Sequence, residues 1–439
     1  MGVFFGTDGI RGKVNQDLSL DTAEKIGNAL SMLKNNPTIV IGADTRISNS
    51  YFAIGVAAGA MKGGAKVIDI GVCPTAGIAY ITKAIKADYG VVISASHNSA
   101  EYNGIKIFNG DGYKLGDKEE ERIERCFIRE KVNAFPEIGS YTQNFNLTKI
   151  YKKYLVECSE KSLNGIKIVL DCAFGASHRI APEVFRALGA EVIATNCMED
   201  GLKINQNCGA VHPENLAKKV LKYKADVGFS FDGDADRLIA VDEKGNIIDG
   251  DMIIYALSKF YKKKGKLKLN TAVGTSHTNM AIEFALKDAG IDLIRTDIGD
   301  KYVLAKLLEK DLSIGGEQSG HIIIKDFATT GDGILSAIIV ANMILEENKT
   351  LSQAIDVELY PQSNKNVIVT DKFRIMNSEI LRIEVDKHNE TLRGKGRIMI
   401  RASGTEPKIR VMVESQNASL NEEIANALVE TVKKISSEN

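Results

Sequence analysis

Three times along the chain a short apolar run leads into a helical stretch, a glycine closes that stretch, and a β-branched run follows. The first copy runs from Thr38-Ile-Val-Ile-Gly-Ala-Asp44 to Gly63-Gly-Ala-Lys-Val-Ile-Asp-Ile70. The second runs from Lys167-Ile-Val-Leu-Asp-Cys172 to Leu188-Gly-Ala-Glu-Val-Ile193, and the third from Thr271-Ala-Val-Gly-Thr275 to Ala289-Gly-Ile-Asp-Leu-Ile294. This is the pattern of a βαβ unit, with the glycine ending the helix. Such crossovers are right-handed and lay their helices over the sheet, so mostly parallel or mixed sheets covered by helices are expected. Three copies at wide spacing predict three related α/β domains.

The tail follows another pattern. Asn366-Val-Ile-Val-Thr370, Gly396-Arg-Ile-Met-Ile-Arg401 and Ile409-Arg-Val-Met-Val-Glu414 read as strands. A capping box at Ser419 and Glu422 then opens a helix whose Ile424, Leu428, Val432 and Ile435 share one face. A small α+β domain is expected there. At 439 residues the chain is too long for one core. The expected divisions are 1–150, 151–252, 253–362 and 363–439, with a hinge at Glu358–Lys365 and a second linker at Lys131–Asn146.

Bulk charge excludes some functions. Lys plus Arg (56) nearly balances Asp plus Glu (57) and no long basic run occurs, so a nucleic-acid partner is not expected. The longest uncharged apolar stretch, Ile334 to Leu345, is shorter than the roughly 20 residues of a membrane span and reads as a buried helix. Cys73, Cys126, Cys158, Cys172, Cys197 and Cys208 form no CxxC pair, and Met-Gly-Val-Phe-Phe-Gly-Thr-Asp is no secretory signal. Reduced thiols in a cytoplasmic protein are the simplest reading.

Local charge must then carry the chemistry. Asp232-Gly-Asp-Ala-Asp-Arg237 lies between two strand-like runs, Val227–Phe231 and Leu238–Val241. Asp232, Asp234 and Asp236 repel one another, and their oxygens suit a hard cation such as Mg²⁺ or Ca²⁺. An EF-hand loop would place Glu243 at its twelfth position, but its sixth position holds Arg237 where glycine is needed, and its flanks read as strands. A solvated acidic turn without metal is the bland alternative. Arg237 beside the triad could hold an anion that the metal also touches.

A second constellation, Val91-Val-Ile-Ser-Ala-Ser-His-Asn98, delivers Ser96 and His97 into a loop. It is not a G-x-S-x-G elbow, so an esterase triad is poorly supported, whereas serine can carry a phosphoryl group covalently. A turn with local hydrogen bonds is the alternative, and Lys106 on the following apolar segment reads locally as a surface lysine. In Gly315-Gly-Glu-Gln-Ser-Gly-His321, the carboxylate of Glu317, the hydroxyl of Ser319 and the imidazole of His321 suit sugar hydroxyls, or form a plain turn. In Arg401-Ala-Ser-Gly-Thr-Glu-Pro407, small donors beside Arg401 favour an anion site over a simple hairpin. Gly6-Thr-Asp-Gly-Ile-Arg-Gly12 is a weaker fifth candidate, with Arg11 adding charge to a shared cleft.

Taken in order, GTDGIRG, SASHN, DGDADR, GEQSGH and RASGTEPKIRVM span nearly the whole chain. Together they resemble the α-D-phosphohexomutase family, most closely its glucosamine branch. The resemblance implies four domains around a central cleft, the first three related mixed-sheet α/β domains and the last a small α+β domain. It implies that Ser96 is a phosphoserine completing an Mg²⁺ site with Asp232, Asp234 and Asp236. Glu317 and Ser319 would grip sugar hydroxyls. Arg401, Ser403, Gly404, Thr405 and Arg410 would hold the non-reacting phosphate, with Lys106 and His321 as proton carriers, Arg237 as a further catalytic residue, and Arg11 and His97 as further substrate-binding residues.

The expected activity is interconversion of glucosamine 6-phosphate and glucosamine 1-phosphate through a sugar bisphosphate, by a monomer or homodimer. Alternatives are glucose or mannose phosphate as substrate, a serine phosphohydrolase, and a non-catalytic phosphosugar-binding protein. Two residues depart from the family pattern. Ser99 stands where proline is common. Lys301, in Gly299-Asp-Lys-Tyr-Val303, stands where the glucosamine branch has arginine; lysine keeps the charge but loses the fork.

Overall fold

The computed structural model describes residues 5–6, 8–128, 137–403 and 407–437. Each predicted repeat forms a βαβ unit inside a mixed sheet. The first sheet holds β1 (Ile10–Lys13), β2 (Thr38–Ala43), β3 (Lys66–Val72), β4 (Tyr89–Ile93), β5 (Tyr102–Asn109) and β6 (Ser140–Gln143), in the order β1-β5-β4-β2-β3-β6. The second holds β7 (Lys167–Asp171), β8 (Glu191–Thr195), β9 (Val227–Phe231), β10 (Leu238–Asp242) and β11 (Ile247–Ile248), in the order β11-β10-β9-β7-β8. The third holds β12 (Thr271–Thr275), β13 (Asp292–Thr296), β14 (Ile314–Gly316) and β15 (Ile322–Ile324), in the order β13-β12-β14-β15.

One connection scheme underlies all three sheets. A central strand (β2, β7 or β12) pairs in parallel with the strand after it and with a third strand, and that third strand returns through an antiparallel hairpin. The hairpins are β4–β5, β9–β10 and β14–β15. Their connecting loops carry Ser96, the aspartate triad, and the Glu317–His321 segment respectively. The sequence repeat captured the βαβ half of this unit. The return strand, which makes the three loops equivalent, is not part of that repeat, although the strand-like run Leu238–Val241 is the return strand β10.

The local physics is ordinary. β4 and β9 are buried on both faces, as their largely apolar runs require, and Ser230 of β9 is buried with its neighbours. Gly189 (φ +97) and Gly290 (φ +66) sit just past helix ends in the left-handed region, where a Cβ is disfavoured. The helix Gly333–Glu347, which contains the apolar stretch Ile334–Leu345, is buried along most of its length. Among the described residues, no helix is long and apolar enough to cross a membrane.

The chain separates into two compact units, residues 1–278 with 286–356, and residues 279–285 with 357–439. The second contains β16 (Gln362–Ile368), β17 (Gly396–Ala402) and β18 (Lys408–Ser415), antiparallel in the order β16-β18-β17. Ile424, Leu428, Val432 and Ile435 of the helix Ala418–Ser437 pack with Ile409, Val411 and Val413 in its core.

Three sequence expectations change. The last helix begins at Ala418, and its cap is Asn417, whose Oδ1 accepts the Leu420 N–H at 3.1 Å; Ser419 lies within the first turn. The predicted hinge is partly strand, because Gln362–Lys365 opens β16 and pairs with β18. Within the predicted linker, Ser140–Gln143 is an edge strand paired to β3, and residues 131–136 lie outside the described residues.

Asp332 ties two elements of the first unit together. It caps the helix Gly333–Glu347 through the Leu335 N–H (2.9 Å) and accepts from Tyr151 Oη (2.7 Å) on the helix Thr148–Glu157. Burial lifts its carboxyl from 3.8 to about 6, because those two hydrogen bonds only partly replace water. The folded state therefore binds this proton more tightly than the unfolded chain does. Stability is full below about 3.8 and falls as pH rises through about 6. Chemical denaturation of wild type and Asp332→Asn across that window should show wild type losing roughly 3 kcal/mol relative to the variant. Parallel stability curves would show that this carboxyl titrates alike in both states.

Candidate active site

Ser96 leaves the end of β4 with φ +52, a backbone conformation uncommon for a side-chain-bearing residue. Its Oγ is buried and donates to Asp232 Oδ2 at 2.6 Å. His97 Nδ1 lies 3.4 Å from the same hydroxyl. Asp232 itself follows β9, so two hairpin loops from two sheets meet at this contact. Gly233 permits the approach: a Cβ there would come within 2.6 Å of the Ser96 carbonyl oxygen.

The triad folds inward. Asp232, Asp234 and Asp236 are buried and can each offer an oxygen within 4.8 Å of the others. Burial first, then repulsion from Asp236 and Asp234, lifts the Asp232 carboxyl well above the usual carboxylate range. Asp236 moves the other way: Lys106 and then His321 outweigh burial and hold it well below that range. Asp234 Oδ2 accepts from Thr75 Oγ1 (2.5 Å) and Lys106 Nζ (2.7 Å). Asp234 Oδ1 and Asp236 Oδ1 are buried and have no hydrogen-bond partner among the described residues. Buried carboxylate oxygens left unpartnered in this way fit a hard divalent cation, whose ligands they would be together with Asp232 and Ser96.

Lys106 is no surface lysine. It points from β5 into the cluster, fully buried, with Nζ 2.7 Å from Asp234, 3.0 Å from Asp236 and 3.0 Å from Asp8. Burial opposes its charge, but these three carboxylates raise it well above the ordinary lysine value, so it is a fixed cation. The third hairpin loop delivers His321. Its Nδ1 is 3.7 Å from Asp236, its Nε2 3.4 Å from Asp300, and the Gly331 N–H donates to Nε2 at 3.0 Å. Against burial, Asp236 and Asp300 raise its affinity for a second proton. The backbone donor at Gly331 nevertheless requires a lone pair on Nε2, so the ring is neutral in this arrangement, with its proton on Nδ1.

His97 is also neutral. Burial, reinforced by Arg237 and Arg11, drops it to about 3. Arg237 stands with Nε 4.0 Å from both Asp232 and Asp236, and Arg11 pairs with Asp8 while reaching Asn98 Oδ1 at 3.4 Å. Burial raises Asp8, but Lys106, Lys114 and Arg11 hold it well below the usual range.

Sequence reasoning missed Asp8, Thr75, Lys114 and Asp300. Lys114 bridges Asp8 and Asp300, linking the first sheet's domain to the third's. Asp8 sits inside the GTDGIRG motif and could have been singled out there. Asp300 likewise lies inside the quoted Gly299–Val303 segment, whereas Thr75 and Lys114 stand alone in sequence, and only long-range packing assembles them.

Other predicted residues lie outside this cluster. Glu317 Oε1 accepts the Gly299 N–H at 3.0 Å, joining its loop to the start of the helix Asp300–Glu309, and Ser319 is exposed. Lys301 pairs with Asp117 at 3.3 Å, on the helix Asp117–Ile128. In the second unit, Arg401 and Arg410 stand directly opposite on β17 and β18. Burial and then Arg410 lower the Arg401 value, since like charges directly opposite repel. Ser403 is buried beside them, and its carbonyl accepts from Lys372 Nζ at 2.6 Å. Gly404 and Thr405 lie outside the described residues.

Domain families described as phosphoglucomutase/phosphomannomutase match the chain in order: α/β/α domain I over residues 2–134, domain II over 146–245, domain III over 249–360 and the C-terminal domain over 365–431. The chain belongs to the phosphoglucomutase/phosphomannomutase family. Full-length relatives agree. It is 45% identical over 444 residues to a phosphoglucosamine mutase of Carboxydothermus hydrogenoformans, covering 99% of this chain and 100% of that one. It is 42% identical over 443 residues to a phosphoglucosamine mutase of Bacillus subtilis, covering 99% of each. Among solved structures, a phosphoglucomutase/phosphomannomutase family protein from Burkholderia thailandensis shares the fold at a TM-score of 0.83 and 22% identity, covering 98% of each chain. The N-acetylphosphoglucosamine mutase of Aspergillus fumigatus, solved with GlcNAc-6P and magnesium, shares it at 0.67 and 16% identity, covering 100% of this chain and 96% of that one.

In this phosphohexomutase fold, the cation site is the most direct thing to test. Asp234→Asn keeps an acceptor for Thr75 while removing a charged ligand. Calorimetric titration with Mg²⁺ or Mn²⁺ should show affinity falling by about tenfold or more in a variant that still folds. Equal ion binding by wild type and variant would remove the triad from the metal site.

Proposed function

We propose that this protein interconverts glucosamine 6-phosphate and glucosamine 1-phosphate, through phospho-Ser96 and a sugar 1,6-bisphosphate. The carrying observation is the buried contact between Ser96 Oγ and Asp232 at 2.6 Å, beside carboxylate oxygens that have no hydrogen-bond partner among the described residues. The identity of 42–45% to phosphoglucosamine mutases over nearly the full chain supports the amino sugar as substrate.

The proposed ion is Mg²⁺, held by Asp232, Asp234, Asp236 and the Ser96 oxygen, where it would neutralise charge on the phosphoryl group. The remaining work falls to the chain's own groups. Phospho-Ser96 donates to one sugar hydroxyl; an O–P bond forms there as the Ser96 Oγ–P bond breaks. Lys106, Arg237 and Arg11 are fixed cations around the serine and counter charge on the transferring oxygens. Of the two candidate proton carriers, Lys106 is held protonated by its carboxylates, and His321 can take up a proton at Nε2 once that atom parts from the Gly331 N–H. His97, neutral beside Ser96, contributes hydrogen bonding without charge. Glu317 and Ser319 bind sugar hydroxyls, and Arg401, Ser403, Gly404, Thr405 and Arg410 bind the non-reacting phosphate, for which the opposed arginine pair is the support. In the second step the bisphosphate, turned end for end, returns its other phosphoryl group to Ser96.

Assays with glucosamine, glucose and mannose 6-phosphates should show fastest conversion of the amino sugar, without net phosphate release. Intact-mass mapping should find phosphate on Ser96, and Ser96→Ala should be inactive. Release of phosphate to water would make the protein a phosphohydrolase instead, and faster turnover of glucose or mannose phosphate would reassign the sugar.

Arg401→Lys keeps the charge but drops one of two parallel hydrogen bonds, a loss of roughly 1.5–3 kcal/mol. Substrate affinity should weaken about ten- to hundredfold in both reaction directions, with little change in melting temperature. Impairment in only one direction would show that this site serves a single orientation of the sugar.

A further inference from the structure

The loop that presents Ser96 is organised by a guanidinium that never reaches the reacting centre. Arg46, two residues past Asp44 at the end of β2, is buried, and all five of its N–H donors are engaged. Nε donates to Asp44 Oδ2 at 2.9 Å. Nη1 donates to the carbonyls of Ser99 and of Tyr102, the latter at 2.9 Å. Nη2 donates to the carbonyls of Ser96 (3.1 Å) and Asn98 (2.7 Å). The same charge thus collects three carbonyl oxygens of the serine loop and that of Tyr102 at the start of β5.

Asp44 closes the arrangement. Its Oδ2 also accepts from Ser94 Oγ (2.6 Å), and Ser94 Oγ accepts the Ser96 N–H (2.8 Å). Both backbone polar groups of Ser96 therefore end on the Asp44–Arg46 pair, directly or through Ser94. From the second sheet's domain, Asn205 Nδ2 donates to the same Ser96 and Asn98 carbonyls, at 2.9 and 3.0 Å. These contacts over-determine a residue held at φ +52, which would otherwise relax.

We propose that Arg46, with Asn205, is a positioning pair for phosphoryl transfer: together they fix the left-handed Ser96 backbone so that its Oγ faces the aspartate triad. The inference rests on the reading of Ser96 as the phosphoryl carrier. Lysine cannot replace Arg46, since one ammonium has three donors and no planar fork to span four carbonyls and a carboxylate. Both residues are buried behind the serine loop and bond its backbone, so on this proposal their loss bears on the transfer step and not on substrate binding.

Two variants test this by steady-state kinetics, melting curves and intact-mass mapping of Ser96. Arg46→Lys retains the charge opposite Asp44. Asn205→Asp keeps size and a side chain that tolerates the left-handed backbone at φ +59, but removes the amide donor. Both should lower kcat by about tenfold or more while KM stays within about twofold of wild type, as expected for a misplaced reacting group. Wild-type kcat in Asn205→Asp overturns the proposal, because any defect in Arg46→Lys is then one of folding. A rise in KM matching the fall in kcat overturns it as well. Failure of the underlying reading looks different: Ser96→Ala stays active and wild type carries no phosphate on Ser96.

Discussion

A buried ammonium surrounded by carboxylates sets the terms for the rest of the first unit. Lys106 Nζ lies within 3.0 Å of Asp8, Asp234 and Asp236, with no solvent around it to share the charge. Removing ions from water is tolerated only where partners and hydrogen bonds are placed accurately, and it is penalised heavily where they are not. Five carboxylates (Asp8, Asp232, Asp234, Asp236 and Asp300) face four fixed cations (Arg11, Lys106, Lys114 and Arg237). A divalent ion would tip that balance to positive, the state a phosphoryl group demands. The segments that supply these charges are therefore held in place by electrostatics as well as by their apolar cores.

The backbone meets that demand by using one solution three times. Each of the first three sheets sends a parallel strand outward and brings it back antiparallel, and the turn between them carries the chemistry. Loops at the carboxyl ends of strands are the usual ligand sites of open α/β sheets, because rigid strands aim them while leaving their side chains free. Here the three equivalent loops carry different equipment: a serine, three aspartates, and a glutamate with a histidine. Small residues make their approach feasible. Gly233 clears the Ser96 carbonyl, and Gly331 would place a Cβ 2.5 Å from His321 Nε2.

Much of this was legible in the chain. The βαβ repeats, the apolar face of the last helix and the buried helix at Gly333–Glu347 follow from periodicity and capping, which are local properties. The five motifs marked the loops that matter, because acid clusters and glycine-flanked hydroxyls are unusual at such spacing. Readings based on local pattern went wrong where a neighbour distant in sequence competes. Lys106 looks like a surface residue until Asp234, 128 positions away, claims it. Ser140–Gln143 looks like linker until β3 offers it an edge. Ser419 has the residues of a cap, yet Asn417 two positions earlier takes the role.

By itself the sequence determined the type of each element, the number of related domains and the residues able to do phosphoryl chemistry, since these depend on hydrogen bonds and side-chain spacing over a few neighbours. Tertiary structure alone decided which of those residues meet. It put Thr75 against Asp234, bridged Asp8 to Asp300 through Lys114, and turned Lys301 toward Asp117. It also drew three carbonyls of the serine loop, and that of Tyr102 at the start of β5, onto Arg46. Contacts of this kind join positions from about fifty to nearly two hundred residues apart, and no local preference encodes them. They arise when whole sheets pack and the buried charges accept only partners that leave none of them alone.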